Sequence, residues 1–275
     1  MITYIDAKNS KRKVAGIIPL HDETGFAGMR KAGQLCAQAL DLLYEEVRPG
    51  ITTLELDRIA FEFAHDNGAV PATMFYRGYR HSICTSINHV VCHGIPSEKP
   101  LREGDIVNID ITLVVDGWHG DSSRMYPVGE ISRKAERLIE MTYEGLEVGI
   151  KAAKPGNTTG DIGAAIQTYV EKQRASVVRD FVGHGLGQRF HDEPNIMHFG
   201  TPGTGIELKE GMIFTIEPMV NLGREHVKIL SDGWTAVTRD RTLSAQCEHS
   251  LGITKTGCEI FTGSPLGLFN PIAVR

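Results

Sequence analysis

The chain has 275 residues, close to the upper limit for one hydrophobic core, and 41% hydrophobic with 23% charged residues excludes a disordered or fibrous polypeptide. Lys and Arg number 29 against 34 Asp and Glu, giving a formal charge of −5, so no general basic field draws the protein onto nucleic acid or an anionic membrane. Five cysteines without C-x-x-C spacing argue against a disulfide framework or a thiolate zinc site. With no apolar leader and no apolar stretch long enough to span a bilayer, a soluble cytoplasmic protein is expected, without membrane or specific nucleic-acid partners. The basic cluster Lys8, Lys11, Arg12 and Lys13 reads as a solvated face and is given no function.

In chain order, Leu35, Ala39, Leu42 and Leu43 recur at helical spacing and predict a helix over 32–47, ended by Pro49-Gly50. Thr52-x-x-Glu55 is a capping box that opens a second helix through Leu56, Ile59, Ala60 and Phe63 to Asn67-Gly68. β-rich runs follow at 82–91, 105–115 and 118–128. Asp116-Gly117 is a two-residue hairpin signal. It pairs Val115 with Trp118 and sets Asp121 opposite Thr112, on the strand face that also carries Asp110. Ile109, Ile111 and Leu113 occupy the other face, as in a sheet covered by helices on that side. A helix over about 133–152, Pro155-Gly156, and a helix opened by Thr158-x-x-Asp161 through Ile162, Ile166 and Val170 come next, then strands at 212–220, 235–239 and 246–254. The class is α+β, with helices outside and antiparallel strands inside.

The order repeats because the sequence does. Residues 48–56 recur at 154–162, Val91-Cys92-His93-Gly94-Ile95 as Val182-Gly183-His184-Gly185-Leu186, and residues 101–110 at 208–217. Three matches in the same order predict one catalytic domain over 1–275, made of two pseudo-symmetric halves at about 28–130 and 131–260 with the site between them. Glu217 takes the position of Asp110. His184 stands between glycines that leave its imidazole room for close approach, and Glu248 lies in a strand-like run. Two carboxylates on one face of an apolar strand pair repel unless a proton or cation compensates. One imidazole and four carboxylates suit Mn²⁺, Fe²⁺, Co²⁺ or Zn²⁺ and carry too much negative charge for one divalent ion, so two ions about 3.5 Å apart are expected.

Six motifs then carry a resemblance over about residues 28–262: residues 91–96, Gly104 to Asp110, Gly120 to Met125, Gly183 to Gly187, Phe190-His191-Asp192-Glu193-Pro194, and Thr215-Ile216-Glu217-Pro218-Met219. Together they resemble the type I methionine aminopeptidases. The resemblance implies the duplicated pita-bread fold and removal of initiator methionine from nascent polypeptides when the second residue is small. It implies that Asp110 chelates one metal, that Asp121 and Glu248 bridge the pair, and that His184 and Glu217 complete the second. Glu217 would also be the general base, and His93 and His191 would hold the scissile peptide. Tyr76, Tyr79, Cys84, Phe190 and Trp234 are the candidates for the methionine pocket. Thr73, Arg80, His89, Asp192 and Cys247 depart from the commoner residues and touch pocket shape and rate rather than the reaction. The spacing of His184 and Glu217 leaves no room for a type II insertion, and no zinc-finger extension is expected. Partners would be peptide N-termini beginning with Met and a transient contact with the ribosome, the protein being a monomer by default. The rivals are a proline-specific peptidase of the same fold and a non-catalytic ribosome-binding relative.

Overall fold

A computed structural model describes residues 3–6 and 17–272, so the basic cluster at Lys8 to Lys13 lies outside the described residues. Asp22 opens helix α1 (Glu23–Glu46), its carboxylate accepting from the Thr24 and Gly25 amides. The helix begins well before the expected Ala32 because Gly25, Gly28 and Gly33 disguise its first turns. Those glycines are there for packing: a Cβ on Gly28 would sit 2.5 Å from the Trp118 indole, and one on Gly33 2.6 Å from the Phe261 carbonyl oxygen. Thr52 caps α2 (Thr53–Asp66) through the Glu55 amide, but the Glu55 carboxylate pairs with Arg58 at 2.6 Å, so that capping box is only half made. The box at Thr158 and Asp161 is complete and opens α4 (Thr159–Lys172), which follows α3 (Arg133–Ala152).

Strands Ile106–Val115 and Trp118–Pro127 form the expected hairpin. Asp116 (φ 50°) and Gly117 (φ 81°) both take the left-handed conformation that a tight two-residue turn needs. Val115 pairs with Trp118 and Thr112 with Asp121, in one register from end to end. Val107, Ile109, Ile111 and Leu113 are buried with Leu40 and Leu43 of α1 and Leu56 of α2. A second core gathers Leu138 and Ile139 of α3, Ile162 and Ile166 of α4, and Phe214 and Ile216. With the apolar face committed to helices, Asp110 and Thr112 are left on the other.

Three expected strands are each broken in two. The 82–91 run divides into Ile83–Ile87 and Val90–Cys92 at Asn88, whose φ is 55°. The 212–220 run divides into Ile213–Ile216 and Met219–Asn221 around Glu217-Pro218, where proline has no amide to continue the ladder. The 246–254 run divides into Ser244–Gln246 and His249–Ile253, and between them the Glu248 amide donates to the Ser123 carbonyl of the hairpin. The described strands accordingly fall into five antiparallel sheets, not one. The expected 235–239 strand is Ala236–Thr238, paired with Val90–Cys92. Strands Gly183–Gly185 and Asp192–Ile196 pair with each other, their glycines and proline having hidden them from strand propensity. No described helix is long and apolar enough to cross a membrane.

One buried ion pair fastens the outer helix to the hairpin. Arg124 is 1% exposed and donates to Asp41 of α1 at 2.7 Å. Asp41 also accepts from the Ser264 hydroxyl at 2.7 Å and the Leu266 amide at 3.2 Å, holding the chain near its C-terminal end. Asp41→Ala would leave a buried guanidinium without its anion and should cost about 3–5 kcal/mol in urea unfolding. An Asp41→Leu, Arg124→Met double variant should lose clearly less; equal losses would show that the charge pairing is not what matters there.

Candidate metal centre

The hairpin delivers Asp110 and Asp121 as diagonal neighbours on one face, because Asp121 pairs with Thr112 and Thr112 lies two residues beyond Asp110. Glu217 and Glu248 arrive differently, each at a break between strand segments where the chain steps from one sheet to another. His184 is the middle residue of strand Gly183–Gly185. Its flanking glycines serve the backbone rather than the imidazole: a Cβ on Gly183 would strike the Thr215 carbonyl, and one on Gly185 the Glu193 carbonyl.

The five expected ligands converge. Oxygens of Asp110, Asp121 and Glu248 lie within 4.8 Å of one another. His184 Nε2 is 3.6 Å from Asp121 Oδ2 and 3.7 Å from Glu217 Oε1. Around them stands a layer of hydrogen-bond partners that the sequence pattern revealed only in part. The Thr112 hydroxyl donates to Asp121 Oδ1 at 2.7 Å and the Thr215 hydroxyl to Glu217 Oε1 at 2.8 Å. Gln246 Nε2 reaches Glu217 Oε2 at 3.3 Å, and the Glu217 amide donates to His198 Nε2 at 3.1 Å. Thr112 and Thr215 carried a signal, each lying two residues from an acid on a strand face; Gln246 and His198 carried none.

Burial governs the charge states. It raises the Asp110 carboxyl to about 7. Asp121 is pushed up by burial and then by the charge of Asp110, with partial relief from the Thr112 hydrogen bond. Glu217 rises by burial and by Asp121, against the Thr215 hydrogen bond, and Glu248 rises by burial, Asp121 and Glu217. Burial lowers His184 to about 4, leaving the neutral imidazole that a metal requires. Four buried acids beside a neutral imidazole call for protons or cations, and this hard, oxygen-rich set fits divalent ions.

The centre floors a cavity of about 960 Å³. All the candidate pocket residues, Tyr76, Tyr79, Cys84, Phe190 and Trp234, line it together with His93 and His191. One ring cluster joins Tyr79 to Trp234 (5.0 Å between centroids) and His93 to Trp234 (6.3 Å) and Phe181 (5.3 Å). Another stacks Tyr76 on His191 at 5.2 Å and brings His191 to 4.2 Å from His184. Burial lowers His93, and lowers His191 to about 3, so both rings are neutral. Phe181, Met219 and Cys92 also line the cavity and were not foreseen. Of the departures, Thr73 and Asp192 lie in its wall, Arg80 lines a separate groove, and Cys247 is buried in the core beside α3 and α4.

Residues 27–255 match the model of metallopeptidase family M24, and the chain belongs to that family. Within it, the chain is 54% identical over 256 residues to a methionine aminopeptidase of Rickettsia prowazekii (strain Madrid E), an alignment covering 92% of this chain and 98% of that one. The crystal structure of methionine aminopeptidase from Rickettsia prowazekii superposes with a TM-score of 0.89 at 53% identity, covering 89% of this chain and 99% of that one. An X-Pro aminopeptidase from Thermotoga maritima MSB8 shares the fold with a TM-score of 0.71, at 20% identity, over 88% of this chain and 62% of its own. The fold is the pita-bread fold, and the enzyme class is metallo-aminopeptidase.

Because the acids hold protons when no cation is present, metal binding must displace them. Titrating chelator-stripped protein with Mn²⁺ at about pH 6 should release protons, so the measured heat will depend on the buffer's ionisation enthalpy. Apparent affinity should rise from about pH 5 to about pH 7.5, as the proton competing for Asp110 is lost. A pH-independent affinity would contradict the raised carboxyl values.

Proposed function

We propose that this chain removes the N-terminal methionine from polypeptides whose second residue is small, by hydrolysis at a pair of divalent metal ions. The observation that carries the reading is the convergence of four carboxylates and one imidazole on the floor of a cavity with soft and aromatic walls. Relatives named methionine aminopeptidase over nearly the whole chain support it. The substrate is a peptide with a free N-terminal methionine. Two equivalent halves, 28–130 and 131–260, would form the one catalytic unit, a reading supported by the recurrence of a capped helix pair, α1–α2 and α3–α4, before each set of strands.

In this reading Asp110, Asp121, His184, Glu217 and Glu248 would together hold the ions, supplying four carboxylates and one imidazole as ligands. The ions would be drawn from Mn²⁺, Fe²⁺, Co²⁺ or Zn²⁺, a choice set by availability rather than by this ligand set. When bound, such a pair supplies Lewis acidity and a water of lowered pKa. Glu217 takes the water proton and passes it to the leaving amine, its carboxylate aimed by Thr215 and Gln246. Neutral His93 and His191 hold the scissile peptide and stabilise the charge that develops on its carbonyl oxygen. The thioether packs against Tyr79, Cys84 and Trp234, where sulfur gains from aromatic contact. The rings of Tyr76, Phe190 and His191 crowd the space beside His184, which favours a small second residue. Five free cysteines, four of them buried, agree with a reducing compartment such as the cytoplasm.

Chelator-stripped protein resupplied with each metal should release methionine from Met-Ala-Ser and leave an X-Pro peptide intact; the reverse preference would favour a proline-specific peptidase. Glu217→Gln should lower kcat by roughly 10²–10⁴-fold. His93→Ala should slow turnover with metal content preserved, and loss of a metal would mean that His93 is a ligand.

A further inference from the structure

At Glu217 the main chain leaves one sheet for another. The ladder between Ile213–Ile216 and His249–Ile253 ends with Ile216 opposite His249, and Pro218 has no amide. Glu217 N–H is therefore the single backbone donor across the break, and at this half-buried position it is met by a side-chain acceptor. His198 Nε2 provides it at 3.1 Å. The ring is 0% exposed, and because Nε2 accepts, the proton lies on Nδ1, which is buried without a partner among the described residues. Were this side chain present only to fill space, an apolar one would serve without the orphaned donor. The ring is itself held from behind. The Met197 and Phe199 carbonyls press on Gly163 of α4, where a Cβ would lie 2.6 Å from Met197 O, and the Gly200 amide donates to Gln167 Oε1 at 3.2 Å.

We infer that His198 is a positioning residue: by accepting the Glu217 amide it fixes the strand break and thereby the direction in which the Glu217 carboxylate meets metal and substrate. His198 does not line the cavity, and its ring bonds to the Glu217 backbone rather than to a carboxylate of the cluster. Its effect passes through one hydrogen bond, and α4 supports that bond through Gly163. This deepens the aminopeptidase reading of the site and rests on it for the kinetic part only.

The test compares His198→Leu, which cannot accept, with His198→Gln, whose side-chain oxygen can. In metal-free protein the Glu217 amide should be protected from hydrogen exchange in the wild type and the Gln variant and should exchange rapidly in the Leu variant. Mn²⁺ affinity should fall by about 10–100-fold in His198→Leu and recover in His198→Gln. With Met-Ala-Ser, kcat should fall by about tenfold or more in His198→Leu while KM stays within about threefold, since ground-state binding is not what the bond controls. Equal behaviour of Leu and Gln, or a Leu variant with wild-type Mn²⁺ affinity and kcat, would overturn the inference. Should His198→Leu not fold, Gly163→Ala, which displaces residues 197–199, should show the same split between kcat and KM, and wild-type kinetics there would count equally against it. If wild-type protein released no methionine with any metal, the aminopeptidase reading would fail, whereas amide exchange and Mn²⁺ affinity would still decide the role of His198.

Discussion

Carboxylates within a few ångström of one another repel, and burial removes the water that would screen them. Here the fold holds Asp110, Asp121, Glu217 and Glu248 together in the interior, with a neutral histidine as the fifth member. Left to itself such a cluster drives its own protonation or pushes the surrounding elements apart. Divalent cations reverse the sign of the problem, turning the main internal repulsion into the main attraction. Much of the rest of the structure serves to keep that frame from relaxing before the ions arrive.

The restraint comes from outside inwards. Helices α1 and α2 lie against the apolar face of the hairpin, and glycines of α1 let its backbone approach the Trp118 indole and the Phe261 carbonyl closely. Arg124 and Asp41 join that layer to the chain near its C-terminal end. Ser122 donates to the Glu248 carbonyl at 2.6 Å and Asn108 to the Gln246 carbonyl at 2.8 Å, so the hairpin grips the segment carrying Glu248 on both sides. Each of these bonds involves a buried polar group that would be costly unpaired. The ligands cannot spread apart without breaking several of them together.

The hairpin was the most legible part of the chain, because Asp116-Gly117 and strict alternation fix register locally, and register fixed which face Asp110 and Asp121 share. Glu217 and His184 were picked out for another reason: the recurring motifs set them at the positions of Asp110 and His93. What did not show were the breaks at Glu217-Pro218 and Cys247-Glu248, since β-rich composition continues through both and the interruption is decided by partners distant in sequence. The early start of α1 was masked by glycines chosen for close tertiary packing, which overrides helix propensity. Gln246 and His198 belong to the same category as the breaks. Their roles exist only once the sheets are assembled.

The floor and the walls of the cavity are built from different groups, acids and an imidazole below and rings and loop side chains above. In the proposed reaction the frame of acids and imidazole would carry the hydrolysis, and the walls above it would select the peptide. Of the residues in which this chain departs from the commoner pattern, Thr73 and Asp192 stand in those walls, and both are tied down: the Thr73 hydroxyl donates to the His81 carbonyl at 2.8 Å, and Asp192 accepts from the Glu193 amide at 2.9 Å. Arg80 lines another groove and Cys247 is sealed in the core, so neither can touch a bound peptide directly. Differences in substrate preference from the relatives would then trace to Thr73 and Asp192. The metal frame beneath them is left unchanged by either departure.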